Sequence, residues 1–357
     1  MLSSMSDLAK SDIHGPVHTL RTECAEWDLS NENWHAPRFV TVVRFRPDGR
    51  MSEHEIHNPD SSISRSTYSY DDAGQLKEAE SVTIGGSVSR ATCSAYSYDD
   101  ARRLIRVAFV DQDGTEHQSE AWGYDTNGKR TRVHSVPGLA ANPSVIYAIE
   151  GTEHSYGVPG VTTIITVFDD EGRPERVLFR DADERLLSTV TLERDGMGRL
   201  AKEEMSLDEY HPFHQLQNEG DAAAPPDRNA EALMLASFFG PRNVMSSTTY
   251  AYDQMGHLLE RRTRMGELQE QRTMFRYDDR DNRIEEITEV IEREVQVDDE
   301  AHLQTAKERS SKHSVRFDYT YDGRGNWTGR LVRSRLESNP DFQRSNVVRR
   351  EIVYYED

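Results

Sequence analysis

The 357 residues carry 43 Lys and Arg against 63 Asp and Glu, a net charge of −20, which excludes the basic footprint of a nucleic-acid binder. At 35% hydrophobic residues and a mean hydropathy of −0.79, no stretch approaches the ~20 apolar residues of a helical membrane span, so no membrane span is expected. Two cysteines, Cys24 and Cys93, make no disulfide framework, match no paired zinc spacing, and read as buried small residues.

In chain order, residues 1–38 read as a lead-in segment. Its start, MLSSMSDLAKSD, lacks the basic-then-apolar pattern of a secretion signal. A complete N-terminus would place the protein in the cytoplasm, and a processed or trimmed chain would place it outside. From residue 39 one phrase recurs, aromatic-x-Tyr-Asp-x-x-Gly-x-Leu, and repetition of this kind governs the fold. The first array, 39–205, contains Tyr70-Asp71 to Gly74, Tyr98-Asp99, Tyr124-Asp125 to Gly128 and Phe168-Asp169 to Gly172. The second array, 249–357, contains Tyr252-Asp253 to Gly256, Tyr277-Asp278 and Tyr321-Asp322 to Gly325. Neighbouring aspartates stand 28, 26, 26 and 25 residues apart at the clearest copies.

Each unit reads as a β-hairpin. Tyr68 and Tyr70 are two apart and share a strand face. Aspartate bonds amides ahead of it, and Gly74, Gly128, Gly256 and Gly325 are expected to take positive φ at the end of the turn. Arg102 occupies that place in the Asp99 copy, where a distorted turn is expected. Gly85-Gly86 and Met265-Gly266 mark turns at the opposite end. The run from Ile284 to Val297 reads as one long strand. The fold class is therefore all-β, an antiparallel hairpin meander of roughly 20 strands that curls or partly closes. Between the arrays, residues 206–248 break the pattern. A loop there precedes one helix, capped by Asp227 and stopped by Gly240-Pro241.

The Tyr-Asp phrase, above all Tyr321-Asp322-Gly323-Arg324-Gly325-Asn326-Trp327-Thr328, resembles the YD repeat of the RHS (rearrangement hotspot) repeat family over most of residues 40–335. Asp12-Ile13-His14-Gly15-Pro16-Val17 resembles the lead-in of smaller bacterial members. In large members the resemblance implies a sheet spiralling into a shell around a toxic cargo. The Asp-Pro-x-Gly-Leu phrase that marks self-cleavage there is absent from this chain.

No nucleophile elbow, phosphate loop or His-Glu-x-x-His motif is present, so neither catalytic residues nor a cofactor is expected. The paired turn carboxylates, such as Asp71-Asp72, could ligate calcium, but turn capping explains them without a metal. His54 and His57 fall on opposite strand faces, and His211 and His214 lack a third ligand. The expected function is a non-catalytic sheet that binds or partly encloses a partner macromolecule, a protein and, given the charge, a basic one. Two alternatives stand beside it: an acidic immunity-type inhibitor of a basic toxin or enzyme, and a carbohydrate-active enzyme with its site in the curl. Carbohydrate is a further candidate ligand.

Overall fold

Strands that alternate hydroxylated or aromatic residues with charged ones present two chemically distinct faces, a period that suits a sheet and not a helix. The computed structural model describes residues 13–355 apart from 29, 86–89, 112, 125–129, 136–145, 150, 151, 153, 211–243, 267, 298–302 and 340. Among the described residues every regular element is a strand. In chain order they begin with β1 (Val17–Asp28), β2 (Asn33–Trp34), β3 (Phe39–Phe45), β4 (Met51–His57), β5 (Ile63–Tyr70), β6 (Leu76–Ile84), β7 (Arg90–Tyr98) and β8 (Leu104–Asp111). Next come β9 (Glu116–Tyr124), β10 (Arg130–Ser135), β11 (Ile146–Ala148), β12 (Ser155–Gly157), β13 (Thr163–Phe168), β14 (Pro174–Arg180), β15 (Leu186–Arg194) and β16 (Leu200–Leu207). The last are β17 (Val244–Tyr252), β18 (Leu258–Met265), β19 (Gln269–Tyr277), β20 (Arg283–Val297), β21 (Leu303–Tyr321), β22 (Trp327–Leu336) and β23 (Gln343–Tyr354). The expected helix, at 227–239, lies outside the described residues, as do Asp125 and Gly128.

One five-residue turn recurs along the array. At Asp71 the backbone amide donates to the Gln75 carbonyl (2.9 Å), the Gly74 amide donates back to the Asp71 carbonyl (2.9 Å), and the Gln75 amide donates to Asp71 Oδ1 (2.7 Å). The same three bonds are made at Asp99, Asp169, Asp181, Asp195, Asp253, Asp278 and Asp322. They place the fourth residue in the left-handed region, at φ +78° for Gly74 and +86° for Gly325. The Arg102 copy is not distorted, which corrects the expectation. Arg102 takes φ +60° and its turn keeps all three bonds. The aspartate's bonds hold the turn together even where the fourth residue carries a Cβ. Arg102→Gly should raise stability by roughly 0.5–1 kcal/mol, because relief of left-handed strain is partly offset by glycine's freedom when unfolded. A urea midpoint that moves down would contradict this account of the turn.

The tyrosine before each aspartate ties one copy of the phrase to the previous one. Tyr70 donates its hydroxyl to the Met51 carbonyl (2.7 Å), Tyr98 to Leu76 (2.8 Å), Tyr252 to Leu200 (2.9 Å) and Tyr277 to Leu258 (3.1 Å). Each acceptor is the first residue of the strand that leaves the preceding turn. Tyrosine, aspartate, glycine and leucine thus form one cooperative device, with the leucine position supplying its carbonyl to the next repeat.

The strands fall into two contact units. The first comprises Met1–His117 and Ser314–Asp357, and the second Gln118–His313. In the first unit, β1 is hydrogen-bonded on both edges. Thr19 to Cys24 pair with Arg44 to Phe39 of β3, and with Val353 to Val348 of β23. The first strand therefore joins the last, and the hydrogen bonding closes into a 20-strand antiparallel barrel. This corrects the expected curled or partly closed sheet. The seam is held by contacts between residues far apart in sequence. Asn326 Nδ2 donates to the His14 carbonyl (2.9 Å), the His14 amide donates to Asn326 Oδ1 (2.7 Å), and the Tyr355 hydroxyl donates to the Phe45 carbonyl (2.6 Å). Ile13, Val17, Leu20 and Phe45 form a small buried cluster beside it. Closure satisfies the two rows of backbone groups that an open sheet would leave exposed.

The second unit holds the larger apolar core. The β11–β12 hairpin contributes Tyr147 and Tyr156, and flanking Ile149 and Val158 join them. They pack on Ile164, Val177, Phe179, Val190, Leu192, Met205 and Leu207 of β13 to β16. Cross-strand registers place these sheet residues on one face. Phe168 and Phe179 are each 1% exposed.

Candidate functional site

Registers in each unit show which residues share a face. In the first unit Phe45, Tyr70 and Tyr98 lie on one side; in the second, Phe168, Tyr252 and Tyr277 do. Opposed hydroxyls occupy this tyrosine face: Ser66 with Ser81 (2.8 Å), Ser64 with Thr83 (3.3 Å), Thr248 with Thr263 (3.0 Å) and Thr273 with Thr288 (3.3 Å). The other face carries ion pairs. Arg65 meets Glu55 at 2.9 Å, Arg272 meets Glu260 at 2.6 Å, and Arg276 meets Glu285 at 3.0 Å, while Arg44 pairs with Glu53 and Arg262 with Glu270. A groove of about 610 Å³ on this face of the first unit is lined by Arg21, Glu23, Asp318, Thr320, Gly329 and Arg349, among others. Gly329 helps to open it, since a Cβ there would lie 2.5 Å from Thr320 Oγ1.

The most strongly built polar site lies on the tyrosine face of the second unit. Glu203 of β16 is 1% exposed. Its alternation with Met205 and Leu207 turns it toward the core, while Lys202 and Glu204 turn away and pair with each other at 2.8 Å. Tyr250 of β17 donates its hydroxyl to Glu203 Oε1 (2.6 Å) and stands 3.3 Å from His154 Nδ1. His154 Nδ1 meets the same Oε1, and Tyr156 of β12 lies against the same carboxylate. Burial, reinforced by the Glu203 charge, pushes both phenols well above the usual tyrosine range. Glu203 Oε2 is buried and makes no hydrogen bond among the described residues. The repeat pattern gave no sign of this cluster. His154 and Tyr156 sit in the wide gap between Asp125 and Asp169, and Glu203 is hidden in a charged triplet.

The residues singled out in the sequence are spent on structure. In each described copy the aspartate Oδ1 is occupied within its own turn, and Asp322 Oδ2 accepts from the Tyr354 hydroxyl of β23. In four copies Oδ1 takes the amide and Oδ2 the guanidinium of the arginine four residues on: Arg103 at Asp99, Arg173 at Asp169, Arg185 at Asp181 and Arg199 at Asp195. At Asp169, Asp181 and Asp195 burial raises the carboxyl pKa, but the amide and guanidinium bonds outweigh it and leave it below the usual range. His54 and His57 fall on opposite faces, and His57 Nε2 bonds Glu55 Oε1 at 2.5 Å. His211 and His214 lie outside the described residues. Cys24 and Cys93 are free thiols, half-buried and not fully buried.

At Asp253 a histidine replaces the arginine. His257 Nδ1 is 2.8 Å from Asp253 Oδ2, its Nε2 is 2.9 Å from Asp281 Oδ1 in the next turn, and its ring stacks on Tyr277 at 4.7 Å. The Asp253 bond, helped by Asp281 and opposed by burial, raises its pKa above the ordinary histidine value of about 6.5. A raised histidine stabilises fully below the unfolded pKa and loses that contribution as pH climbs through the folded one. His257→Gln should therefore cost stability at pH 5.5 and progressively less above pH 7. Urea midpoints of both proteins across that range check the sign, and a gap that widens with pH would contradict it.

No family model and no curated protein matches the chain, and no match indicates the RHS resemblance. Among solved structures, it is similar to a porin-like protein from Bacteroides uniformis, at 11% identity, covering 94% of this chain and 98% of that one, with a TM-score of 0.32. It is also similar to a putative outer membrane lipoprotein-sorting protein domain from Vibrio parahaemolyticus, at 12% identity, covering 54% and 80%, with a TM-score of 0.16. Likenesses this slight define neither fold nor function.

The closed sheet corrects several expectations. No helix of the described residues is long and apolar enough to cross a membrane, but a closed barrel crosses with strands of about 9–11 residues. The expectation of no membrane span therefore does not stand, and neither does the cytoplasmic placement drawn from the missing secretion signal. The partner-binding sheet is set aside because closure removes the edges and the open curl that would have received a partner. The immunity-type reading needed a clustered acidic patch, and the acids of the ion-pair face are interleaved with arginines. The carbohydrate enzyme needed converging carboxylates, and the buried cluster contains one, Glu203.

Proposed function

We propose that this chain is a non-catalytic closed β-barrel that takes up small uncharged polar solutes along its tyrosine face. The observation that carries this reading is the series of opposed hydroxyl pairs on that face. Arginine–carboxylate pairs stand on the other face, while the tyrosine face of the second unit keeps the His134–Glu120 pair beside its hydroxyls. Serine and threonine both donate and accept, so a row of them exchanges hydrogen bonds with amide or hydroxyl solutes without imposing a charge. The repeat's distinctive residues are consumed by turns and inter-repeat bonds, which supports the absence of catalysis. Saturation-transfer NMR with urea and glycerol tests it. Signals from the wild type that fade in Thr263→Val/Thr288→Val support the reading, and no transfer, or equal transfer in the variant, contradicts it.

A second reading, a membrane conduit, is favoured by one asymmetry. In the second unit the Asp-initiated turns that follow β13, β15, β17 and β19 are all tight, whereas at the opposite end a tight turn at Asp181 is accompanied by the connection of β16 to β17 across residues 208–243. Barrels that cross membranes show such an imbalance. Against it stand the charges of β18 to β20, since an arginine on a lipid face costs about 2–4 kcal/mol at the midplane. Release of a trapped dye from phospholipid vesicles would decide for the conduit.

A further inference from the structure

We propose that Glu203, His154, Tyr156 and Tyr250 form a binding site for ferric iron. No three His, Cys, Asp or Glu side chains cluster as a metal site among the described residues, and this set reaches four donors only when phenols are counted. Tyr250 OH lies 2.6 Å from Glu203 Oε1 and 3.3 Å from His154 Nδ1, so a carboxylate, an imidazole and a phenol already share one small volume. Tyr156 abuts the same carboxylate. The donors come from separate parts of the second unit, namely the β11–β12 connection and β12, then β16 and β17. The independent sign of a cation is Glu203 Oε2, a buried carboxylate oxygen with no hydrogen-bond partner, which is costly unless something positive approaches it.

Charge selects the ion. The carboxylate and two phenolates supply three anionic oxygens, which neutralise a trivalent cation and leave the imidazole as a neutral fourth ligand. A divalent ion would leave the buried site with an uncompensated negative charge. Anionic oxygen with imidazole is a donor set suited to iron, and tyrosinate is an established iron ligand. On binding, two phenolic O–H bonds break, three Fe–O bonds and one Fe–N bond replace the ion's bonds to its carrier or to water, and both phenolic protons leave to solvent. No electron moves. Because both phenols must give up a proton to ligate, loading releases two protons and weakens as pH falls. His154, whose side chain is 27% exposed, marks the side of entry.

The test is titration of the full chain with ferric nitrilotriacetate, followed by gel filtration and metal analysis. The expected result is one iron per chain with a visible phenolate-to-iron charge-transfer band. Tyr250→Phe keeps the ring and should weaken binding by more than the roughly tenfold cost of losing an outer-shell partner, with loss of part of the band. Glu203→Gln should abolish binding. If that variant fails to fold by circular dichroism, Tyr250→Phe and the exposed-side variant His154→Ala decide. Wild-type protein that emerges without iron would overturn the proposal and leave the cluster as a polar latch for the hairpin. Undiminished binding and colour in Tyr250→Phe would overturn it too.

Discussion

Phe179→Ala lowers the stability of the protein by about 3–5 kcal/mol, the usual cost of removing a fully buried aromatic ring. Phe179 is 1% exposed at the centre of the second unit's core. It faces Ile164 on β13 and Ser188 on β15 across the sheet, and its ring meets Tyr147 of the hairpin edge-on at 6.2 Å. A void there removes support from two layers at once, because the β11–β12 hairpin has only three paired positions of its own and depends on packing. Phe179→Leu fills part of the space and should recover much of the loss. Chemical denaturation of both variants gives the comparison, with near-UV circular dichroism reporting the Tyr147 environment. A midpoint for Phe179→Ala within error of the wild type would mean that the hairpin does not rest on this face.

Deleting residues 1–28 should abolish the folded monomer. β1 contributes pairing to both β3 and β23, so its removal creates two unpaired edges and uncovers Phe45. Exposed edges of that length recruit one another between molecules. The truncated chain is expected to elute from gel filtration as large assemblies or to remain insoluble. A monomeric truncated chain with undiminished strand content would show that the sheet stands without closure.

The repeat was legible because its chemistry is local. Asp71 and Gly74 form their turn within five residues, and period-two alternation places Tyr68 beside Tyr70 whatever the rest of the chain does. The missing glycine at Arg102 suggests a distorted turn, but the aspartate's three bonds hold the turn with an arginine at positive φ. Closure was not legible. Its contacts join His14 to Asn326 and Phe45 to Tyr355, and neither end carries a pattern that names the other. The Glu203 site was half legible. Strict alternation through Glu203, Met205 and Leu207 assigns that glutamate to the apolar face, a conflict between chemistry and position that marks a built site. His154 and Tyr156, by contrast, reach it from a segment with no repeat signature.

The central claim, that the first strand closes the sheet against both β3 and the last strand, is tested most directly by a native thiol. Cys24 of β1 is the Cα partner of Phe39 on β3 and of Val348 on β23, and directly opposed strand positions lie within disulfide reach. Cys93, whose thiol a bond to Glu78 and burial push up to about 11, is replaced by serine as background. Phe39→Cys and Val348→Cys are then made separately and oxidised. Closure predicts that each yields an intramolecular disulfide with Cys24 in monomeric protein, seen by non-reducing electrophoresis and peptide mapping. A disulfide from Phe39→Cys alone, with Val348→Cys remaining free or linking only between molecules, would show an open sheet and contradict the account.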